Sequence, residues 1–297
     1  MKTLSQIQIR DPFILPRAGE GLYYLFGTTD SDPSGNTSGA GFNCYTSRDL
    51  NEWDGPFPVF RPQGELAKAT CFWAPEVHER DGSFWMFASI GDWNERGTYI
   101  LKAEHPRGPF ERWSDGPVTP LGDMAIDGTP WWDEDGQAWL VYCHEWVQLT
   151  DGTMCARRLS RDLRSGEGEV HVLFSASQAP WAGAVAQGDK ANSYVTDAPF
   201  FYRLKSGELL MLWSSRGDFG YDVGVARAAS GSVLGPWMHD AEPIFGDNGG
   251  HPMLFETFAG QLMMALHTEK FGNKKEYSLL LPLEEIGEHL VVGQPRL

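Results

Sequence analysis

Residues 74–92 read APEVHERDGSFWMFASIGD. Two strand-like apolar runs flank Asp81-Gly82, a dipeptide that supplies the left-handed backbone a tight hairpin needs. Pro75 heads the first run, where a strand tolerates a missing N–H donor. The same unit recurs four times. It reads DPFILPRAGEGLYYLFGTTD at 11–30, DGTPWWDEDGQAWLVYCHEW at 127–146, DAPFFYRLKSGELLMLWSS at 197–215 and HPMLFETFAGQLMMALHTE at 251–269. The marker prolines Pro12, Pro75, Pro130, Pro199 and Pro252 are spaced by 63, 55, 69 and 53 residues. Asp135-Gly136, Ser206-Gly207 and Ala259-Gly260 hold the turn position in the later copies.

A second pair of strand-like runs follows each hairpin: CYTSRDLNEWDG, YILKAEHPRGPFERW, MCARRLSRDLRSGEGEV, VGVARAASGSVLGPW and YSLLLPLEEI. No long segment carries the 3.6-residue period of a helix. Four strands per unit and five units predict an all-β, five-bladed β-propeller with four antiparallel strands per blade, spanning 1–297 as one domain. A β-sandwich has similar strand spacing but not this long-period repetition.

Composition narrows the partners. The chain carries 24 basic and 40 acidic side chains, a net charge of −16. Such a surface repels nucleic acid and anionic membranes and suits a neutral substrate. No apolar run reaches the 18 residues of a spanning helix. The N-terminus MKTLSQIQIRDP has no signal-peptide core, which fits a cytoplasmic protein or a mature secreted form with its signal removed. Cys44, Cys71, Cys143 and Cys155 form no C-x-x-C pair and are expected as buried free thiols. Most of the 12 tryptophans are expected in core and blade packing, with a few left to stack on a substrate ring.

In a propeller the first strand of each blade lines the channel, and all five first strands open at one mouth. Their beginnings carry Asp11, Glu76, Asp127, Asp197 and His251. The second strand returns to the same mouth, bringing Asp30, Asp92 with Trp93, His144 with Glu145, Arg216, and His267. Carboxyls crowded into one cleft push their pKa values apart, so one stays protonated while another is ionised. Glycosidic bond cleavage needs that pair: an acid for the leaving oxygen, and a base or nucleophile at the anomeric carbon.

The stretches RDPFI at 10–14, FWAPEV at 72–77, IDGTPWWDEDG at 126–136 and GGHPMLF at 249–255 resemble glycoside hydrolase family 43, one motif per blade and in order. The resemblance implies an inverting hydrolase of arabinofuranosides, xylosides or galactosides. It implies Asp11 as general base, Asp127 as the residue that orients the acid and raises its pKa, and His251 near a channel water or calcium ion. No organic cofactor is implied, and a calcium ion is an expectation of the resemblance alone.

The sequence departs from that pattern at the acid. The family places a Glu before Gly-Pro at the start of blade four, where this chain has Thr196-Asp197-Ala198-Pro199. Asp is one methylene shorter, so the acid is left between Asp197 and the neighbouring Glu145, with a slight preference for Glu145. Trp73, Glu76, Trp93, Arg216 and His251 are the expected substrate-binding side chains. The expected activity is exo-release of a terminal pentose, α-L-arabinofuranose first, from plant-type oligo- or polysaccharides. The alternatives are a β-xylosidase or galactofuranosidase of the same fold, a retaining β-fructosidase-like enzyme, and a non-catalytic carbohydrate-binding propeller.

Overall fold

The computed structural model describes residues 1–29, 41–187, 190–217, 220–268 and 276–293. Five four-stranded antiparallel sheets form the blades, each a meander of consecutive strands. Their innermost strands are Arg10–Arg17, Cys71–Arg80, Ala125–Trp132, Asp197–Arg203 and Gly249–Glu256. The second strands are Leu22–Thr28, Ser83–Gly91, Ala138–His144, Leu209–Gly217 and Leu262–Thr268. The expected propeller is therefore present, with every repeat unit forming the inner hairpin of a blade. Blade V packs directly on blade I, and the Ile9 N–H donates to the Glu276 carbonyl at 3.1 Å across the junction.

The turns follow the dipeptides that announced them. Asp81 and Gly82 both have positive φ, 52° and 75°, as a two-residue hairpin turn requires. Helix is scarce but present: the single α-helical turn among the described residues, Trp146–Leu149, follows Glu145. No helix among those residues is long and apolar enough to cross a membrane.

Both faces of a blade are covered by its neighbours, so inner strands read as continuous apolar runs rather than alternating ones. Leu209–Trp213 is fully buried over five consecutive residues. Strand alternation divides them: Leu210 and Leu212 join the core between blades IV and V, and Met211 and Trp213 the core between blades III and IV. The four cysteines are buried and free.

Candidate active site

Each innermost strand is broken by a bulge at the same place. The ladder slips between Arg10 and Phe13, Trp73 and Glu76, Asp197 and Phe200, and Gly250 and Met253, and between Val141 and Cys143 opposite Asp127. The bulged residues are Asp11, Ala74, Asp127, Ala198 and His251, all left-handed with φ between 46° and 58°. A non-glycine residue pays about 1–2 kcal/mol for this conformation. The bulge re-aims the side chain out of the ladder and into the channel. Three of the five positions carry chemistry: Asp11, Asp127 and His251.

These three meet in one place. His251 Nδ1 lies 3.1 Å from Asp11 Oδ1 and 3.7 Å from Asp127 Oδ2. Asp11 also accepts the Thr28 hydroxyl at 2.5 Å and has Arg10 Nε at 3.4 Å. Asp197, one residue before its bulge, accepts the Tyr221 hydroxyl at 3.1 Å. A cavity of about 220 Å³ opens over the group. Asp11, Asp127, Asp197, Arg216 and His251 line it, with Trp73 on its wall.

The environments separate the carboxyls. Burial pushes Asp11 up, but the His251 charge and hydrogen bond, with Arg10, outweigh it and hold the group well below the usual carboxylate range. Asp127 is pushed up to about 6, chiefly by burial, with His251 opposing and Asp11 adding. Asp197 is raised well above the ordinary value by burial, then by the charges of Asp127 and Glu145. Burial works against a charge on His251, yet Asp11 and Asp127 raise it to about 9. His267 is driven down to about 3 by burial and is neutral; its Nδ1 accepts the Asp11 N–H at 3.0 Å. At neutral pH the cavity thus holds an ionised Asp11 beside an imidazolium, with Asp197 the carboxyl shifted toward its protonated form.

The remaining candidates lie outside the cavity lining. Glu145 follows the second strand of blade III and is buried at 6% exposure. Its carboxylate is taken by Arg96 Nε, and burial raises its pKa against that pull. The Arg96 guanidinium sits 5.4 Å from the rings of both Trp73 and Trp93. Trp93, 46% exposed, stands at the outside of that stack. Glu76 is two residues beyond its bulge and spans to the Thr129 hydroxyl at 2.9 Å and His78 Nε2 at 2.9 Å. Asp92 accepts the N–H groups of Asn94 and Glu95 in a turn. Asp30 lies outside the described residues.

Sequence reasoning passed over Arg10 and Tyr221, although Arg10 precedes Asp11 within RDPFI and Tyr221 is the second residue of the third strand of blade IV, Gly220–Ala228. It also passed over Asn248 and Glu276, which line the cavity. Among the described residues no group of three or more His, Cys, Asp or Glu side chains could hold a metal ion, and His251 Nδ1 faces two carboxylates.

Known proteins share this architecture. An endo-arabinase from Bacteroides thetaiotaomicron is 36% identical, with a TM-score of 0.86 over 96% of this chain and 97% of that one. An endo-1,4-beta-xylanase from the same organism, at 20% identity and a TM-score of 0.75, covers 97% of this chain and 95% of its own. An alpha-L-arabinofuranosidase from Lactobacillus brevis, at 18% and 0.74, covers 97% and 93%. The latter two speak for the fold alone. No curated protein matches the chain. The model of glycosyl hydrolases family 43 matches residues 3–280, and this chain, a glycoside hydrolase with a carbohydrate substrate, belongs to that family.

Proposed function

We propose that the chain is an inverting exo-glycosidase that releases terminal α-L-arabinofuranose from arabinan-type oligo- or polysaccharides. The observation that carries the reading is that one cavity is lined by two carboxyls in opposite environments, Asp11 held below and Asp197 raised above the ordinary carboxylate range, with Asp127 in the same lining. Asp11 draws a proton from the attacking water. Asp197 donates its proton to the leaving glycosidic oxygen. Asp127 keeps that proton in place through its negative charge, and His251⁺ holds Asp11 and Asp127 in register. Trp73 offers an apolar face and Arg216 a donor to the sugar.

Asp197 is preferred to Glu145 as the acid because it lines the cavity, whereas Glu145 is committed to Arg96 outside it. Glu145 then acts by fixing Arg96 against Trp73. A cavity of about 220 Å³ is below the range of roughly 300–1,000 Å³ for drug-sized ligands. It suits one sugar ring, which favours exo-cleavage. A second reading, cleavage within an arabinan chain, is favoured by the 36%-identical protein described as an endo-arabinase. The test is product analysis on linear arabinan alongside aryl α-L-arabinofuranoside, β-D-xyloside and β-D-galactofuranoside. Free arabinose as the first product is expected. Early oligosaccharides would move the reading to endo-cleavage, and preferential xyloside or galactofuranoside turnover would overturn the choice of sugar.

A further inference from the structure

The five bulges are pinned by a repeated device, broken once. The residue opposite the start of each bulge, on the second strand, is Thr28, Ser89, Cys143, Ser214 and His267 in blades I to V. In four blades that side chain accepts the bulge N–H of the next blade. Thr28 Oγ1 takes Ala74 at 2.9 Å, Ser89 Oγ takes Asp127 at 2.8 Å, Ser214 Oγ takes His251 at 2.9 Å and His267 Nδ1 takes Asp11 at 3.0 Å. Cys143 does not. The Ala198 N–H, which it would receive, goes instead to Asp127 Oδ2 at 3.0 Å.

Blade I offers the direct comparison. There Thr28 accepts the Ala74 N–H and donates its own hydroxyl in a hydrogen bond to Asp11 Oδ2 at 2.5 Å. A hydroxyl thus stands between the bulge carboxylate and the next blade, and it favours the ionised acid. In blade III a thiol holds that place. Sulfur is a weak acceptor and a weak donor, and Cys143 Sγ instead lies 3.9 Å from Met154 Sδ. The carboxylate of Asp127 reaches the blade IV backbone itself, at the residue next to Asp197.

We propose that Cys143 is a positioning residue: by withholding a hydroxyl it leaves the Ala198 N–H to Asp127, tying that carboxylate to the strand that carries Asp197. The inference rests on the catalytic reading of Asp127 and Asp197 above. The absent hydroxyl also spares Asp127 a donor that would pull its proton affinity down. The titratable groups acting with Asp127 are His251, Asp11, Glu145, Asp197, Tyr221 and the Cys143 thiol itself.

The test compares Cys143→Ser with Cys143→Ala. Serine restores the hydroxyl at nearly the same volume; alanine offers neither donor nor acceptor. Cys143→Ser is expected to lower kcat on an arabino-oligosaccharide on the order of tenfold, the worth of one hydrogen bond to a charged group. It should also move the alkaline limb of the pH–rate profile to lower pH, with KM little changed. Cys143→Ala should keep the wild-type pH profile. A second readout needs no turnover: Asp127→Asn should stabilise the protein against heat at pH 8 in the wild-type background, and by about half as much or less in Cys143→Ser. Equal loss of activity in both variants, or an unchanged Asp127→Asn effect in Cys143→Ser, would overturn the role. If wild-type protein hydrolysed no glycoside, the catalytic reading would fail while the stability comparison still decided what Cys143 does.

Discussion

Asp127→Asn should make the protein more stable while making it a poorer catalyst. Asp127 is buried and its pKa lies near 6 against an ordinary 3.8. The folded carboxyl therefore binds its proton more tightly than the unfolded one. Stability falls as pH rises from about 4 through about 6, and the cost then stays constant. At 1.36 kcal/mol per pKa unit, it reaches about 3 kcal/mol at pH 8. The asparagine carbonyl can still accept the Ala198 N–H, so the substitution removes the charge and keeps the contact. The unfolding entropy of 297 residues is about 0.6 kcal/mol/K, so the gain in Tm is about 5 °C at pH 8 and near zero at pH 4. Asp11→Asn should do the opposite. Its carboxyl is held low, so the stability it supplies is present above about pH 4 and is lost only as pH falls through the depressed value. Thermal unfolding of both variants across pH 4–8 reads the two signs. A destabilised Asp127→Asn at pH 8, or a gain independent of pH, would refute the electrostatic description of the site.

Turnover offers three further checks. Asp11→Asn should lower kcat by about 10²–10⁴-fold with the fold intact by circular dichroism, and retention of more than about a tenth of the activity would remove Asp11 as the base. Asp197→Asn should cripple hydrolysis of natural arabinosides while sparing a dinitrophenyl arabinoside, whose leaving group needs little protonation. Glu145→Gln should instead slow both substrates alike, and an exchange of the two patterns would make Glu145 the acid. In the core, Trp213→Ala should cost about 3–5 kcal/mol by urea unfolding, since the ring is fully buried between blades III and IV.

The repeat was legible because a propeller writes its period into turns and prolines: Pro12, Pro75, Pro130, Pro199 and Pro252 all fall within two or three residues after a bulged or pre-bulge side chain. Asp11, Asp127 and His251 could be read from that alignment. Strict alignment on Pro75 also puts Ala74, rather than Glu76, at the bulge of blade II. Glu76, the carboxylate nearest that proline, stands two residues beyond the bulge, bound to the Thr129 hydroxyl and His78 Nε2, with its charge still acting on His251. Glu145 looked available because it ends a strand beside the mouth. What claims it is Arg96, 49 residues earlier and in another blade, a pairing that no local pattern encodes. Tyr221 was missed for a similar reason, since it enters from a third strand while the sequence argument followed the first two. The substitution of sulfur for oxygen at Cys143 becomes meaningful only when the five second strands are set against their bulges.

The most direct test of inverting arabinofuranoside hydrolysis is the anomer first formed. Proton NMR of a linear α-1,5-arabino-oligosaccharide, recorded within the first minutes after adding enzyme, should show β-L-arabinofuranose appearing before mutarotation equilibrates it. Initial release of the α-anomer would mean a retaining mechanism with a covalent intermediate, and would contradict the assignment of Asp11 as a base acting on water.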